Sequence, residues 1–191
     1  MILVEGMDNT GKSTLCAKLH KEFGLPVIRK SGPAPADEMY SRVTNLMMST
    51  YPEIHDRCPL FSEPVYGSVL RGGSIFGSRS WEFIWLLLWK NPLIIYCRPP
   101  REKIFDFGDR EQMDGVMDQK ITLLDRYDEL MNVVQSMMPN DENFIMHDWT
   151  NPQGAAETFT HVRWYLMHRQ VELSKCRAAA DYYKHLIGVK Q

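Results

Sequence analysis

The residues with the clearest chemistry are Gly6, Gly11, Lys12 and Ser13, which have the spacing G-x4-G-K-S of a phosphate-binding P-loop. The glycines let the backbone turn tightly enough to aim several N–H groups at one phosphate chain. Lys12 carries a mobile charge that can reach the β- and γ-phosphates, and the Ser13 hydroxyl can complete a Mg²⁺ shell. The pattern predicts a nucleoside-triphosphate site with Mg²⁺, and we expect Lys12 to be solvent-accessible in the empty protein.

A second pair of residues with useful chemistry is Asp56-Arg57, which closes the third apolar segment. The arginine can neutralise charge on a moving phosphoryl group, and the carboxylate can hold the waters of Mg²⁺ or accept the proton of an acceptor. A surface ion pair would explain the same two residues. Their place at a predicted strand end in a P-loop chain favours the catalytic interpretation.

These residues must be positioned by the elements around them, and short apolar runs alternate with helical patterns along the chain. The predicted strands are Ile2–Glu5, Pro26–Arg29, Glu53–Asp56, Leu93–Cys97 and Asn143–His147. The predicted helices are Lys12–Phe23, Ala36–Ser49, Pro64–Leu70, Trp81–Lys90 and Asp118–Met138. This alternation implies βαβ crossovers, so the predicted fold class is α/β, with a five-stranded parallel sheet and helices on both faces.

Ligands of such sheets bind beyond the carboxyl ends of the strands. The residues that the sequence places there are Gly6, Lys30, Asp56, Arg98 and Asp148. Two Gly- and Pro-rich stretches, Ser31–Ala36 and Gly72–Ser80, flank these ends. They could be flexible loops over the site or ordinary connectors.

Two apolar stripes at helical spacing are interpreted as core. The first consists of Ile121, Leu124, Leu130, Met131, Val134 and Met138. The second consists of Trp81, Trp85 and Trp89, for which base stacking by Trp81 is the alternative. After Asp148 the chain is predicted to be helical to its end, with a break near Val171–Ser174.

Composition sets the wider limits. With 191 residues and 44 % hydrophobic content, we expect one domain spanning 1–191. A net charge of −2 provides no overall attraction to nucleic acid or anionic membrane. The apolar run at the N-terminus lacks a basic flank, and Trp81–Leu88 is too short to span a bilayer. Four cysteines without a C-x-x-C pair favour a reduced, cytoplasmic location, in the host cytoplasm for a viral protein.

At this point the sequence resembles a known family. The segment Glu5–Thr14, Glu-Gly-Met-Asp-Asn-Thr-Gly-Lys-Ser-Thr, is similar to the P-loop of thymidylate kinases. Asp56-Arg57, with Ser62 and Tyr66-Gly67 downstream, is similar to the third-strand motif of that family, and deoxynucleoside kinases have similar arrangements. Asp148 followed by Pro152 is compatible with the loop that lies over adenine. The likeness covers most of the first 150 residues in layout and two segments in detail. It implies a three-layer P-loop kinase fold.

The resemblance also implies roles for the matching residues. Asp8 would face the acceptor sugar, Arg57 would clamp the acceptor side, and Asp56 would assist the metal or the proton transfer. The metal ligands would be Ser13 and Asp56. Residues 98–114 would form a short lid whose arginines contact the triphosphate, although a solvated surface explains Arg101 and Arg110 equally well. The residues implied to bind ATP are Gly6, Asp8, Asn9, Thr10, Gly11, Lys12, Ser13, Thr14, Arg98 and Arg101.

The chain departs from the family in the segment that grips the acceptor. Thymidylate kinases usually carry an Arg-Glu-Pro-Gly-Gly-type segment after the second strand, where this chain has Arg29-Lys30-Ser31-Gly32-Pro33-Ala34-Pro35. Gly67 stands where the family usually has Gln, and the lid is short and acidic. These departures disfavour free dTMP as the acceptor.

The altered acceptor segment is similar to that of bacteriophage 5-hydroxymethyluridine DNA kinases, a branch of the same family. The favoured acceptor is therefore 5-hydroxymethyl-deoxyuridine in DNA, as a step of thymidine hypermodification. Flanking phosphates would meet a basic track of Arg29, Lys30, Arg71 and Arg79. A dTMP kinase and a pyrimidine deoxynucleoside kinase are the alternatives, and a non-catalytic P-loop switch is the alternative of another class. The sequence leaves the oligomeric state open, with a homodimer among the options.

Overall fold

The computed structural model describes residues 1–29, 32–49, 52–106 and 112–186, with the backbone alone for 171–186. Five parallel strands form one sheet in the order β2-β3-β1-β4-β5. They are β1 (Ile2–Glu5), β2 (Val27–Arg29), β3 (Ile54–Asp56), β4 (Leu93–Cys97) and β5 (Phe144–His147). The predicted fold class, a five-stranded parallel α/β sheet, is confirmed.

Strand β1 is the central strand of the sheet, and its four residues, Ile2–Glu5, are therefore all buried. It pairs with β3 on one side and with β4 on the other, so Val4 is opposite both Asp56 and Ile95. Parallel strands end at the same edge, and this register therefore places the loop after β1 beside Asp56-Arg57.

Seven helices are described in this part of the chain. They are α1 (Lys12–Phe23), α2 (Ala36–Met48), α3 (Pro59–Leu70), α4 (Ser80–Leu88), α5 (Arg101–Ile104), α6 (Lys120–Met137) and α7 (Pro152–Leu186). Short 3-10 turns, Gly77–Arg79 and Asp141–Asn143, precede α4 and β5. No helix among the described residues combines the length and apolarity needed to cross a bilayer.

The helices cover both faces of the sheet, as the alternation of side chains along each strand requires. Leu3 and Tyr96 pack into the core formed with α2, α3, α4 and α6. Ile2 and Val4 pack on the opposite face, against α1 and the first half of α7. Three cysteines of the described side chains, Cys16, Cys58 and Cys97, are buried thiols.

The tryptophan stripe is where the sequence interpretation is wrong. Trp81, Trp85 and Trp89 are 45 %, 50 % and 68 % exposed, so they lie outside the core. The inner face of α4 is formed instead by Ile84 and by Leu87 and Leu88, which are almost completely buried. Helix α4 is apolar on all sides, and periodicity alone does not say which side of such a helix faces the core.

Other boundaries need smaller corrections. In α6, Ile121 is 55 % exposed, whereas Leu123 and Tyr127 are fully buried. Helix α3 begins at Pro59 and contains Pro64, which removes one helical hydrogen bond without ending the helix. Helix α7 continues through the predicted break at Val171–Ser174, a segment that contains no Gly or Pro to interrupt it. The stretch Gly72–Ser80 is an ordered turn whose Phe76 is buried, and Lys30 and Ser31 lie outside the described residues.

Candidate active site

The loop between β1 and α1 has the backbone of a phosphate cradle. Gly6, Asn9 and Gly11 have φ values of 140°, 64° and 86°, in the left-handed region that favours glycine. A Cβ on Gly6 would lie 2.6 Å from the carbonyl oxygen of Cys97, so only glycine fits there. The buried Thr10 hydroxyl donates to the Met7 carbonyl at 2.8 Å and closes the loop on itself. The sequence pattern thus has the local geometry that it predicted.

Lys12 is placed differently from the expectation that it would be solvent-accessible. The residue is only 6 % exposed, and its ammonium group donates to the Met7 carbonyl, with the Thr10 hydroxyl 3.5 Å away. Burial and the charge of Arg57 lower its pKa. The loop itself holds the lysine through the carbonyl oxygen of Met7.

Ser13 and Asp56, which the resemblance implies as metal ligands, lie side by side, and their binding of a metal stays a prediction. The Ser13 hydroxyl donates to Asp56 Oδ2 at 2.8 Å, from the first turn of α1 to the end of β3. Arg29 lies 3.7 Å from the same carboxylate oxygen. Hydroxyl and carboxylate oxygens are the ligands that Mg²⁺ prefers, usually together with phosphate oxygens of a substrate. The two side chains present therefore fit a Mg²⁺ ion.

Arg57 lies at a strained point of the backbone. Its φ is +77°, rare for a residue with a side chain. The Arg57 N–H donates to the Val4 carbonyl at 3.1 Å, and the next N–H, that of Cys58, donates to the Glu5 carboxylate. Hydrogen bonds on both sides thus hold the conformation that directs the guanidinium group into the site.

The guanidinium group of Arg57 joins a network with Asp8 and two tyrosines. It donates to Asp8, and lies 3.4 Å from the Tyr66 hydroxyl and 3.3 Å from the Tyr127 hydroxyl. The Tyr66 hydroxyl donates to the second oxygen of Asp8 at 2.6 Å. Burial works against the charged form of Asp8, but the charges of Arg57 and Lys12 hold its pKa below the usual value. Asp8 is therefore an ionised carboxylate that can accept a hydrogen bond from a sugar hydroxyl.

Glu5 is a functional-site residue that the sequence interpretation missed. Its carboxylate is completely buried and accepts from the N–H groups of Gly6, at 3.2 Å, and Cys58. Burial raises its pKa. Glu5 thus connects the start of the P-loop to the turn that carries Arg57. The available signal was an acidic residue at the end of a buried apolar strand.

Three residues predicted to contact ATP have partners within the protein. The Asn9 side chain donates to the carbonyls of Lys103, Ile104 and Asp106 at 3.2, 3.0 and 2.7 Å, which ties the P-loop to the segment after β4. Arg98 donates to Asp128 at 2.8 and 2.9 Å, and Arg101 donates to Asp125 at 2.5 Å. Their contact with a triphosphate stays a prediction. Arg110 lies outside the described residues.

A cavity of about 450 Å³ joins these groups. On its P-loop side it is lined by Lys12, Ser13 and Thr14, and on its acceptor side by Asp8, Arg57 and Tyr66. Residues that the sequence interpretation had not placed there complete the acceptor side: Met39, Arg42, Glu63, Gln112 and Met113. The arrangement places the loop after β1 and the Asp8 carboxylate in one cavity, and phosphoryl transfer requires that a donor and an acceptor be held together in this way.

Glu63 fixes the turn that brings Arg71 to this cavity. Its carboxylate is 4 % exposed, accepts from the Ile75 N–H at 3.0 Å and pairs with Arg71. Gly67 permits the close approach, because a Cβ there would lie 2.7 Å from the Gly73 carbonyl oxygen. The absence of the family's glutamine at position 67 thus has a structural cause.

Trp149 packs against the opposite side of the P-loop. A Cβ on Gly11 would lie 2.8 Å from Trp149 Cδ1, so the indole requires glycine at that position. Trp149 is 46 % exposed and follows Asp148, which accepts from the Thr150 hydroxyl at 2.7 Å. The loop after β5 therefore lies next to the P-loop, and its contact with adenine stays a prediction.

Comparison with known proteins shows the fold. Two solved structures are similar: the YorR protein of Bacillus subtilis in complex with phosphorylated GDP, and deoxyadenosine kinase of M. mycoides with dCMP and a flexible dCDP bound. The first has a TM-score of 0.66 and 21 % identity over 87 % of this chain and 97 % of its own. The second has a TM-score of 0.55 and 16 % identity over 90 % of this chain and 98 % of its own.

Neither a protein-family model nor a curated protein sequence matches the chain. At these identities the likeness shows that the chain shares its α/β fold with a deoxynucleoside kinase. Membership of the thymidylate kinase family or of its bacteriophage branch stays a prediction.

Proposed function

We propose that this chain is an ATP-dependent kinase that transfers the γ-phosphoryl group to a hydroxyl of a thymidine-like deoxynucleoside. The observation that carries the proposal is the single cavity that Lys12 and Ser13 line together with Asp8 and Arg57. A nucleotide switch needs the first pair of residues but has no use for the second. The whole chain, 1–191, acts as one kinase domain, with residues 98–114 as its short lid.

Each group has a defined task in this reaction. The P-loop N–H groups and Lys12 bind the triphosphate, with Lys12 released from the Met7 carbonyl. Ser13 and Asp56 would hold Mg²⁺, which neutralises phosphate charge when bound. Asp8 orients the acceptor sugar by accepting a hydrogen bond. Arg57 stabilises the charge that develops between donor and acceptor, where one preorganised charge contributes about 10²–10³ in rate.

The charges on the acceptor side favour a neutral acceptor. Three guanidinium groups of the described residues line it, and each is paired with a carboxylate: Arg57 with Asp8, Arg71 with Glu63, and Arg42 with Glu38. An acceptor phosphate is bound best by a cation whose charge is not already balanced. A deoxynucleoside has hydroxyl groups and no phosphate, so it can bind here without breaking an ion pair.

5-Hydroxymethyl-deoxyuridine in DNA is the second candidate acceptor. Of the expected basic track, Arg29 is 3.7 Å from Asp56 and Arg71 is paired with Glu63. Lys30 lies outside the described residues. Arg79 favours this candidate, because it is exposed and makes no ion pair with any residue of the described part. A free dTMP acceptor would also need a cation that is not paired with a carboxylate, because such a cation must bind its phosphate.

Transfer of label from γ-labelled ATP tests the proposal. Thymidine, deoxycytidine, dTMP and DNA containing 5-hydroxymethyluracil are offered separately, with a reaction without acceptor as the control. We expect labelled nucleoside monophosphate and acceptor-dependent release of ADP. Label in dTDP or DNA alone would reassign the acceptor. ATP binding without acceptor-dependent ADP release would favour the switch.

A further inference from the structure

A second cavity, of about 370 Å³, lies near the amino ends of the strands. Ile2, the first residue of β1, and Pro52, which precedes β3, both line it. The candidate active site lies beyond the carboxyl ends of the same strands, and the two cavities share no lining residue among those that the structure describes. Cavities of this size bind small molecules in many proteins. The proposed kinase reaction makes no use of this one.

Much of the wall of this cavity is apolar. Ile2 is fully buried, and Leu25 and Leu166 are half-buried side chains that pack on the core between the sheet and α1. Contact with an apolar group would remove more of these side chains from water, which is favourable. A ligand of this cavity is therefore expected to have an apolar body.

Two cations lie at the same cavity. Lys90 and Arg169 both line it, and the Arg169 guanidinium group donates to the Lys90 carbonyl at 3.1 Å. Partial burial, and next the charge of Arg169, lower the pKa of Lys90. No acidic side chain is among the lining residues in the described part of the chain. Glu53, whose charge favours the Lys90 ammonium group, is paired with His55 at 2.7 Å. The charge at the cavity therefore favours an anion.

Ser49 adds a polar group without a hydrogen-bond partner. Its hydroxyl oxygen is buried and forms no hydrogen bond with any described residue, and Ser49 lines the cavity. The carbonyl of the same residue accepts from the Lys90 ammonium group at 2.8 Å, so the hydroxyl and the ammonium group are neighbours. Buried hydroxyl groups are nearly always hydrogen-bonded, and an exception is expected where a ligand can supply the partner.

We propose that this cavity is a binding site for a small organic anion with an apolar body. The anionic head group accepts hydrogen bonds from the Lys90 ammonium group, the Arg169 guanidinium group and the Ser49 hydroxyl. The apolar body packs against Leu25 and Leu166. A carboxylate is the head group that fits best, because its two oxygens can accept from an ammonium group and a hydroxyl at once. The proposal is independent of the kinase assignment, since it uses none of the residues of the other cavity.

Calorimetric titration of the full chain with octanoate, octyl phosphate, octanol and octylamine tests the proposal, because these probes differ only in the head group. We expect octanoate to bind at one site about tenfold more tightly than octanol, since octanol cannot form a charged hydrogen bond. Octylamine should bind least. Tighter binding of octyl phosphate than of octanoate would support the anion site, with phosphate as its preferred head group. Equal binding of octanol and octanoate, or no binding of octanoate, would overturn the proposal.

A lysine variant locates the bound anion. Lys90→Gln should weaken octanoate binding by about tenfold and leave octanol binding unchanged. The matched control is Lys18→Gln, which removes an exposed lysine of α1 that lines neither cavity and should bind octanoate like wild type. Lys12→Ala should also bind octanoate normally. Octanoate binding that Lys12→Ala abolishes and Lys90→Gln retains would place the anion at the P-loop and overturn the proposal.

A serine variant separates ligand binding from structural support. Lys90 also donates to the Met47 and Ser49 carbonyls, so Lys90→Gln can lose stability for a structural reason. Ser49→Ala removes only the buried hydroxyl without a partner, so its free energy of unfolding in urea should equal or exceed that of wild type. Its octanoate binding should nevertheless be several-fold weaker. Octanoate binding equal to that of wild type in either Lys90→Gln or Ser49→Ala would refute the proposed contacts.

Discussion

Lys12 is held by a carbonyl group of its own loop. The ammonium group is buried against the Met7 carbonyl and must leave it to reach a phosphate oxygen. For Lys12→Ala we expect turnover to fall by at least about 10²–10³, since a charge that stabilises the transition state is lost. The melting temperature should be unchanged or higher, because a desolvated charge is removed. Rates of ADP formation and calorimetry check both; near-normal turnover would contradict the P-loop assignment.

Arg57 allows the backbone and the side chain to be tested separately. Its φ of +77° costs a residue with a Cβ about 1 kcal/mol or more, and costs glycine little. Both Arg57→Gly and Arg57→Ala should lose about 10²–10³ in turnover. The free energy of unfolding in urea should nevertheless be about 1 kcal/mol higher for Arg57→Gly than for Arg57→Ala, although glycine usually makes a protein less stable than alanine does. If Arg57→Ala is the more stable variant, the backbone there is not strained as described.

At the scale of residues, the sequence predicted the groups that depend on local spacing. Gly6, Gly11 and Ser13 belong to one short motif, and their geometry follows from neighbouring residues. Glu5 and Glu63 were missed because their partners lie 53 and 12 residues away along the chain. For Glu5 the local pattern showed an acidic residue at the end of a buried strand, but not which backbone N–H groups its carboxylate binds.

Helix α3 and the turn after it form one unit at the scale of elements. In Gly67→Ala the new methyl group would lie 2.7 Å from the Gly73 carbonyl oxygen and 2.9 Å from Ser74 Cα, both of which are backbone atoms. We expect a loss of about 1–3 kcal/mol in the free energy of unfolding. The acceptor KM should also rise, because Arg71 is displaced.

Gly73→Ala provides the matched control for this prediction. A Cβ at that position meets nothing within 4 Å, so its effect on the free energy of unfolding should stay within about 0.5 kcal/mol. Urea unfolding of the two variants and wild type gives the comparison. Equal stability of the two variants would mean that the turn does not pack on α3 as described.

The strands and most helices could be predicted because the spacing of their apolar residues fits only one kind of element. Strand β1 and helix α1 begin and end where the sequence placed them. Helix α4 has large apolar residues on both faces, so its periodicity could not distinguish the face packed on the core, which contains Ile84, from the exposed face, which contains Trp81 and Trp85. The sequence predicts a helix that starts at Pro64, whereas α3 starts at Pro59 and contains Pro64 in its interior.

At the scale of the whole molecule, charge is close to balanced, with a net charge of −2. The same balance holds among the described residues on the acceptor side of the cavity, where three arginines pair with three carboxylates. A molecule of this kind attracts no polyanion as a whole, so any preference for a charged acceptor must come from a single unbalanced group. Removing one carboxylate therefore changes the acceptor preference in a predictable direction.

Glu63→Gln is the change that tests this balance. The amide keeps the shape of the side chain and an oxygen for the Ile75 N–H, but leaves the charge of Arg71 unbalanced. We expect kcat/KM for dTMP to rise relative to that for thymidine by several-fold, up to about tenfold, since an unpaired guanidinium group attracts phosphate. The gain should fade as salt is added, because Arg71 is partly exposed.

The control is Glu129→Gln, which removes the same charge from an exposed pair with Arg126 on α6 and should leave the ratio unchanged. An identical shift in both variants would trace the effect to net charge, and an increased preference for thymidine in Glu63→Gln would refute the role of the Arg71–Glu63 pair.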